Sequence, residues 1–264
     1  MNKFYIQIAL FLLSIFAYAN NETLATELAP GEDTKNQLRS RYNTTEEIYE
    51  KSKHLSCRGR NHTPVTKIMN EAVKQLEYYA TSKDGYEVYA QSPNDSISYY
   101  VKKIDDETSI LKVHLNIYAS SQYNDIINRL WDPNGPKIFN KGTTKVEHVY
   151  NPNLLGILQL CNKDSKHYQK YFYALVSKAE ISKDKTIIAM TSSNTSDENH
   201  YNIEHKNPIL KNTYSFNNPL YPKEYVTNNK YMQIYVNLAG YLIEKKGDDL
   251  EITYIESIKG HSSI

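Results

Sequence analysis

The sequence predicts an α+β fold: helices first, then one long antiparallel sheet with a short helix inserted after its third strand. Three observations carry this. Apolar residues recur at helical spacing through Val65, Ile68, Met69, Ala72, Val73, Leu76 and Tyr79. Beyond Gly85 the period falls to two, in runs rich in Tyr, Val and Ile that turn residues separate. The last two runs, 232–244 and 250–258, flank Gly247-Asp248 as a hairpin would, and no helical pattern follows them.

The elements come in order. Residues 1–19 read as a signal peptide: Lys3 supplies the positive end, 6–16 an apolar core of about a dozen residues, and Ala17-Tyr18-Ala19 the small residues of a cleavage site. Residues 20–43 are polar, contain Pro30-Gly31, and are expected to form a flexible leader. The folded domain is expected over 44–264. Thr44 and Glu47 form a capping-box pattern ahead of a short helix that runs to about Cys57. Thr63-Pro64 opens the second helix, with Thr63 as the expected cap and Pro64 at the first helical position.

Strands are predicted at 86–91, 98–104 and 109–118, and a helix at 121–131, stopped by Asp132-Pro133-Asn134-Gly135-Pro136. Strands resume at 145–150, 154–161, 170–181 and 186–191. The polar stretch 192–231 is expected to be a loop with weak edge strands, ahead of the closing hairpin.

Composition narrows the function. The formal net charge is +1 with acids and bases interspersed, so no basic face for nucleic acid is expected. No stretch approaches the roughly 18 apolar residues of a membrane span, so no transmembrane segment is expected in the mature chain. The expected localisation is secreted. Two cysteines occur, Cys57 and Cys161, which in an oxidising compartment form one disulfide or remain two buried thiols. Sequons stand at Asn21, Asn43, Asn61, Asn94 and Asn194.

No catalytic motif is present: no His-Glu-x-x-His, no Gly-x-Ser-x-Gly and no phosphate-binding glycine loop. The expectation is a non-enzyme with no cofactor and no metal. His54-x-x-Cys57 with His62 lacks a second ligand pair, His200 and His205 read as loop residues, and Asp105-Asp106-Glu107 reads as an exposed turn. The distinctive signal is 24 Tyr against 6 Phe. Tyr is a good strand residue, which explains much of that excess. Lining a cavity, the same rings hold an acyl chain and offer hydroxyls or ring faces to a choline-like head group.

Several strings in order resemble the subtelomeric fam-a proteins of malaria parasites (Plasmodium). They include Leu130-Trp131-Asp132-Pro133-Asn134-Gly135-Pro136, Val149-Tyr150-Asn151-Pro152-Asn153-Leu154, Gln169-Lys170-Tyr171-Phe172-Tyr173-Ala174-Leu175 and Asn237-Leu238-Ala239-Gly240-Tyr241-Leu242-Ile243. The resemblance implies a START-like lipid-transfer domain of helix-grip fold, in which a curved antiparallel sheet encloses a lipid cavity. It implies a phospholipid ligand of the phosphatidylcholine type and transient contact with donor and acceptor membranes. Trp131-Asp132 resembles the Trp-Asp of START domains. Gln169-Lys170-Tyr171 stands where those domains often carry Arg-Asp-Tyr, so that Arg and Asp are absent here. Such domains end in a long closing helix, which the sequence is expected to lack after Gly260. Trp131, Tyr171, Tyr173, Tyr235 and Tyr241 are the expected cavity or core aromatics. The expected destination after secretion is the parasitophorous vacuole or the host cell. An exported surface antigen that has lost lipid transfer is the alternative.

Overall fold

The computed structural model describes residues 42–56, 62–92, 96–135, 142–161, 169–192, 206–211 and 230–259. The signal peptide, nearly all of the leader, Cys57, His200 and His205 lie outside them. So do residues 260–264, on which the question of a closing helix turns.

Helix α1, Thr45–Ser52, starts on the predicted capping box. The Glu47 amide donates to Thr44 Oγ1 at 3.3 Å, and the Thr44 amide donates to Glu47 Oε2 at 2.9 Å. A single 3₁₀ turn follows at Lys53–Leu55. Helix α2, Thr63–Thr81, carries Pro64 in its first turn, but its cap position is His62 rather than Thr63, and no side chain caps it. Thr63 has already entered the helix. Thr66 Oγ1 instead bonds back to the His62 carbonyl at 3.1 Å. Helix α3, Tyr123–Trp131, ends where Asp132 turns extended.

The strands are β1 Glu87–Gln91, β2 Ile97–Lys103, β3 Ser109–Ile117, β4 Gly142–Asn151, β5 Leu154–Cys161, β6 Gln169–Ser182, β7 Lys185–Thr191, β8 Tyr231–Gln233, β9 Tyr235–Lys246 and β10 Asp249–Lys259. They form one sheet in the order β1-β2-β3-β10-β9-β7-β6-β5-β4. The chain thus builds the sheet from one edge, crosses to the other with β4, works back inward, and fills the middle last. The hairpin turn between β9 and β10 falls at Gly247, whose φ of +63° suits glycine.

Among the described strands, one pair departs from antiparallel pairing. β8 runs parallel to β6, with Gln169 opposite Tyr231 and Tyr171 opposite Gln233. It occupies the flank of β6 beyond the point where β7 stops, at Thr191 opposite Leu175. The loop predicted at 192–231 also hides a packed turn. Asn207 Oδ1 accepts the amides of Ile209 and Leu210, and Asn207 Nδ2 donates to the Asn237 carbonyl at 2.7 Å. This seats Ile209 and Leu210 in the same apolar cluster as α2.

Side chains alternate across the sheet, so each strand feeds two layers. α2 covers one face: Val65, Ile68, Met69, Ala72, Val73 and Leu76 pack on Leu175, Ile187, Ala189, Leu238, Leu242 and Ile255. The two short helices cover the other. Ile48 of α1 and Tyr123, Ile126, Ile127 and Trp131 of α3 pack over Phe172, Ile188, Met190, Tyr241, Ile252 and Tyr254. The two N-terminal helices thus lie on opposite faces of the sheet. Among the described residues no helix is long and apolar enough to cross a membrane.

Candidate functional site

The short-helix face contains a small apolar cavity of about 80 Å³. Its roof is the end of α3: Leu130, Trp131, Asp132 and Pro133. Its floor is the sheet, with Leu155 and Ile157 of β5, Val176 of β6, Ile188 and Met190 of β7, and Gly240 and Tyr241 of β9. Thr144 and Gln159 add a polar patch, and Thr144 Oγ1 donates to Gln159 Oε1 at 3.3 Å.

The roof is held by a compact turn. Asp132 Oδ2 accepts from the Asn43 amide at 2.9 Å and from Asn43 Nδ2 at 2.8 Å, while Asp132 Oδ1 accepts from the Asn134 amide at 2.8 Å. One carboxylate thereby ties the entry of α1 to the exit of α3. The Asn43 nitrogen that a glycan would take at this sequon is engaged in that tie. Gly135 is required for the same turn, because a Cβ there would stand 2.3 Å from the Arg129 carbonyl oxygen. At its other end α3 is pinned to the floor, with Tyr123 Oη and Thr186 Oγ1 2.8 Å apart.

Beside the cavity, Tyr241 packs on Tyr254 with ring centroids 5.3 Å apart, and Tyr254 Oη donates to Glu256 Oε2 at 2.5 Å. Glu256 is buried on this apolar face, and desolvation pushes its carboxyl up to about 8. Burial likewise raises the Tyr241 and Tyr254 phenols, with the nearby Glu256 adding to both. At neutral pH Glu256 is therefore largely an uncharged acid, able to donate as well as accept.

The five expected aromatics divide between the faces. Trp131 and Tyr241 line the cavity. Tyr171 and Tyr173 do not. They form a separate cluster with Leu158, and their ring centroids lie 6.1 Å apart. Along β6 they alternate with Phe172 and Ala174, which point to the cavity side, so the pleat turns both tyrosines away from it. Tyr235 is half-buried at the start of β9 and does not line the cavity. Cys161 is buried at the end of β5, and its pairing with Cys57 falls outside the described residues. Among the described residues no three His, Cys, Asp or Glu side chains are grouped as a metal would need.

The sequence reading missed Gln159, Thr144, Met190 and Glu256. Gln159 leaves a trace, since it is a lone polar residue within an apolar strand, whereas Glu256 shares its strand with Glu251, Thr253 and Ser257 and does not stand out. Nothing in the sequence marks Met190 as different from any other core residue.

With this geometry in hand, the chain can be set beside known proteins. No family model matches it, and no curated protein sequence matches it. Solved structures do. Human StAR-related lipid transfer protein 5 superposes with a TM-score of 0.55 at 10% identity, covering 77% of this chain and 86% of that one. The fold is START-like. Human STARD10 aligns with a TM-score of 0.46 at 12% identity, covering 73% and 68%. The lipid transfer and protein localization domain of human StarD13 aligns at 0.42 and 16%, covering 77% and 86%. At these identities the likeness concerns the fold. What the chain shares with human StAR-related lipid transfer protein 5 is a curved antiparallel sheet with a few helices, as in the START-like helix-grip fold.

Proposed function

We propose that the chain is a secreted lipid-binding and transfer protein that takes the acyl part of a phospholipid, of the phosphatidylcholine type, against the short-helix face of its sheet. One observation carries this reading: an apolar cavity between α3 and the sheet, in a START-like fold. Leu155, Ile157, Val176, Ile188 and Met190 suit hydrocarbon and offer no nucleophile or paired acid and base. We read the function as carriage rather than catalysis, without a cofactor. The signal peptide read from the sequence and the fam-a-like strings supply the secreted setting, with the parasitophorous vacuole or the host cell as destination and membranes as transient partners.

The cavity is small beside the roughly 300–1,000 Å³ of pockets that enclose drug-sized ligands. Loading then requires the α3 end to move off β5 and β6, which enlarges the site along the same face. The test is direct. Recombinant protein spanning 20–264 is incubated with phosphatidylcholine vesicles, re-isolated, and assayed for bound lipid by mass spectrometry and for transfer between vesicles. Stoichiometric lipid with transfer is the expected result. Absence of both overturns the reading.

The small cavity is also what favours a second reading, an exported surface antigen or interaction protein without lipid transfer. Capture of a defined host protein together with no lipid uptake would select it.

A further inference from the structure

Trp131 is 4% exposed and forms part of the cavity wall. Its Nε1 is sealed from solvent and meets no acceptor among the described residues. An indole N–H can only donate, and a buried donor left unmet is costly, so nearly all such groups in folded proteins are satisfied. The neighbouring polar groups do not answer it. Both Asp132 carboxylate oxygens already accept from Asn43 and Asn134, and Gln159 Oε1 accepts from Thr144.

The charge of the wall restricts what can complete the bond. Among the described residues the lining includes one carboxylate, Asp132, and no Lys or Arg; the buried cation Arg129 lies outside the lining but acts on the Tyr241 phenol. A phosphate oxygen bonded to Trp131 Nε1 would lie directly beside the Asp132 carboxylate, with Arg129 behind the wall rather than in it. A neutral carbonyl oxygen meets no such repulsion, and the apolar floor suits the chain that would extend from it. We propose that Trp131 Nε1 donates a hydrogen bond to an ester carbonyl oxygen of the bound lipid, making Trp131 a specificity-determining residue for acyl-linked over alkyl-linked lipids. This rests on the lipid-binding reading above and adds the linkage chemistry that the site selects.

The experiment compares three probes on the mature chain: a diacyl phosphatidylcholine, its dialkyl ether analogue, and a diacylglycerol of the same chain length. The ether analogue keeps the phosphate and loses the carbonyls, while the diacylglycerol does the reverse. Bound lipid after re-isolation from vesicles of graded lipid content gives relative affinities. Wild type should prefer the ester-linked phospholipid over the ether by about tenfold, the weight of one buried hydrogen bond. Trp131→Phe keeps a ring and removes the N–H, so it should bind ester and ether alike. Diacylglycerol binding should fall with the phosphatidylcholine in that variant.

Equal binding of ester and ether by wild type overturns the proposal, and that measurement needs no variant to fold. So does a preference that survives in Trp131→Phe, or a loss in the variant confined to probes carrying phosphate. If wild type takes up none of the three, the lipid-binding reading itself fails, an outcome distinct from binding without preference.

Discussion

On one face of the sheet, a 19-residue helix lays six buried side chains across four strands, and Leu76 in its C-terminal half is wholly enclosed. On the other, two helices of 8 and 9 residues leave a gap at the end of α3, where Trp131 faces Gly240 and Tyr241 across open space. The same pleated strands supply both layers, and β9 contributes alternate residues to each. What differs is the cover. A continuous helical stripe fills its face to close packing, whereas a helix that stops at Asp132 leaves the face beyond it unfilled. The division teaches that close packing and open space are assigned to opposite sides of a shared sheet, so damage to the two sides should be separable.

Gly240 belongs to both sides and should show the largest effect. Its φ is +142°, and a Cβ there would stand 1.9 Å from the Ile188 carbonyl oxygen and 2.8 Å from Leu76 Cδ1. Gly240→Ala is expected to cost about 4 kcal/mol, lowering Tm by roughly 10 °C. A variant within about 1 kcal/mol of wild type in urea unfolding would show that β9 can shift, and would dissolve the contrast between the faces.

The next effect tests the contrast by truncating one residue per face. Leu76→Ala should cost about 3 kcal/mol, because it opens a hole in filled packing. Met190→Ala should cost about half as much, because part of that side chain already borders empty space. Equal losses in urea titrations would mean that the cavity collapses in solution.

A third effect is a pH slope confined to the cavity face. The folded Glu256 carboxyl holds its proton up to about 8, while the unfolded one releases it near the ordinary value of 4.5. Between these the folded state binds more protons, so stability is full below the lower value and falls as pH rises toward the upper one. The slope is at most about 1.4 kcal/mol per pH unit. Glu256→Gln should flatten the Glu256 contribution to stability between pH 5 and 8 while keeping the contact with Tyr254. An unchanged slope in the variant would place the titrating group elsewhere.

Much of the fold was legible before any coordinates. β5 spans the predicted 154–161, and the Thr44 capping box sits where the spacing placed it, because both are local signals. The parallel β8–β6 pair was not legible, since it joins segments about sixty residues apart through three residues each. The cavity was legible only in part, for one physical reason. In β6, Tyr171, Tyr173 and Leu175 alternate with Phe172, Ala174 and Val176, so both faces are apolar and the pattern names no inside. Trp131 escaped that ambiguity because it ends a helix stopped by a readable turn, Asp132-Pro133-Asn134-Gly135. Gln159 and Glu256 became meaningful only once their strands had been given a side.

The position of Trp131 has one more consequence. It is the single tryptophan of the chain. The protein therefore carries an intrinsic optical probe set into the wall of its own cavity, with no second indole to dilute the signal. A molecule that enters beneath α3, or a displacement of that helix end, should alter the colour and intensity of its emission, so occupancy can be followed in real time without attaching a dye.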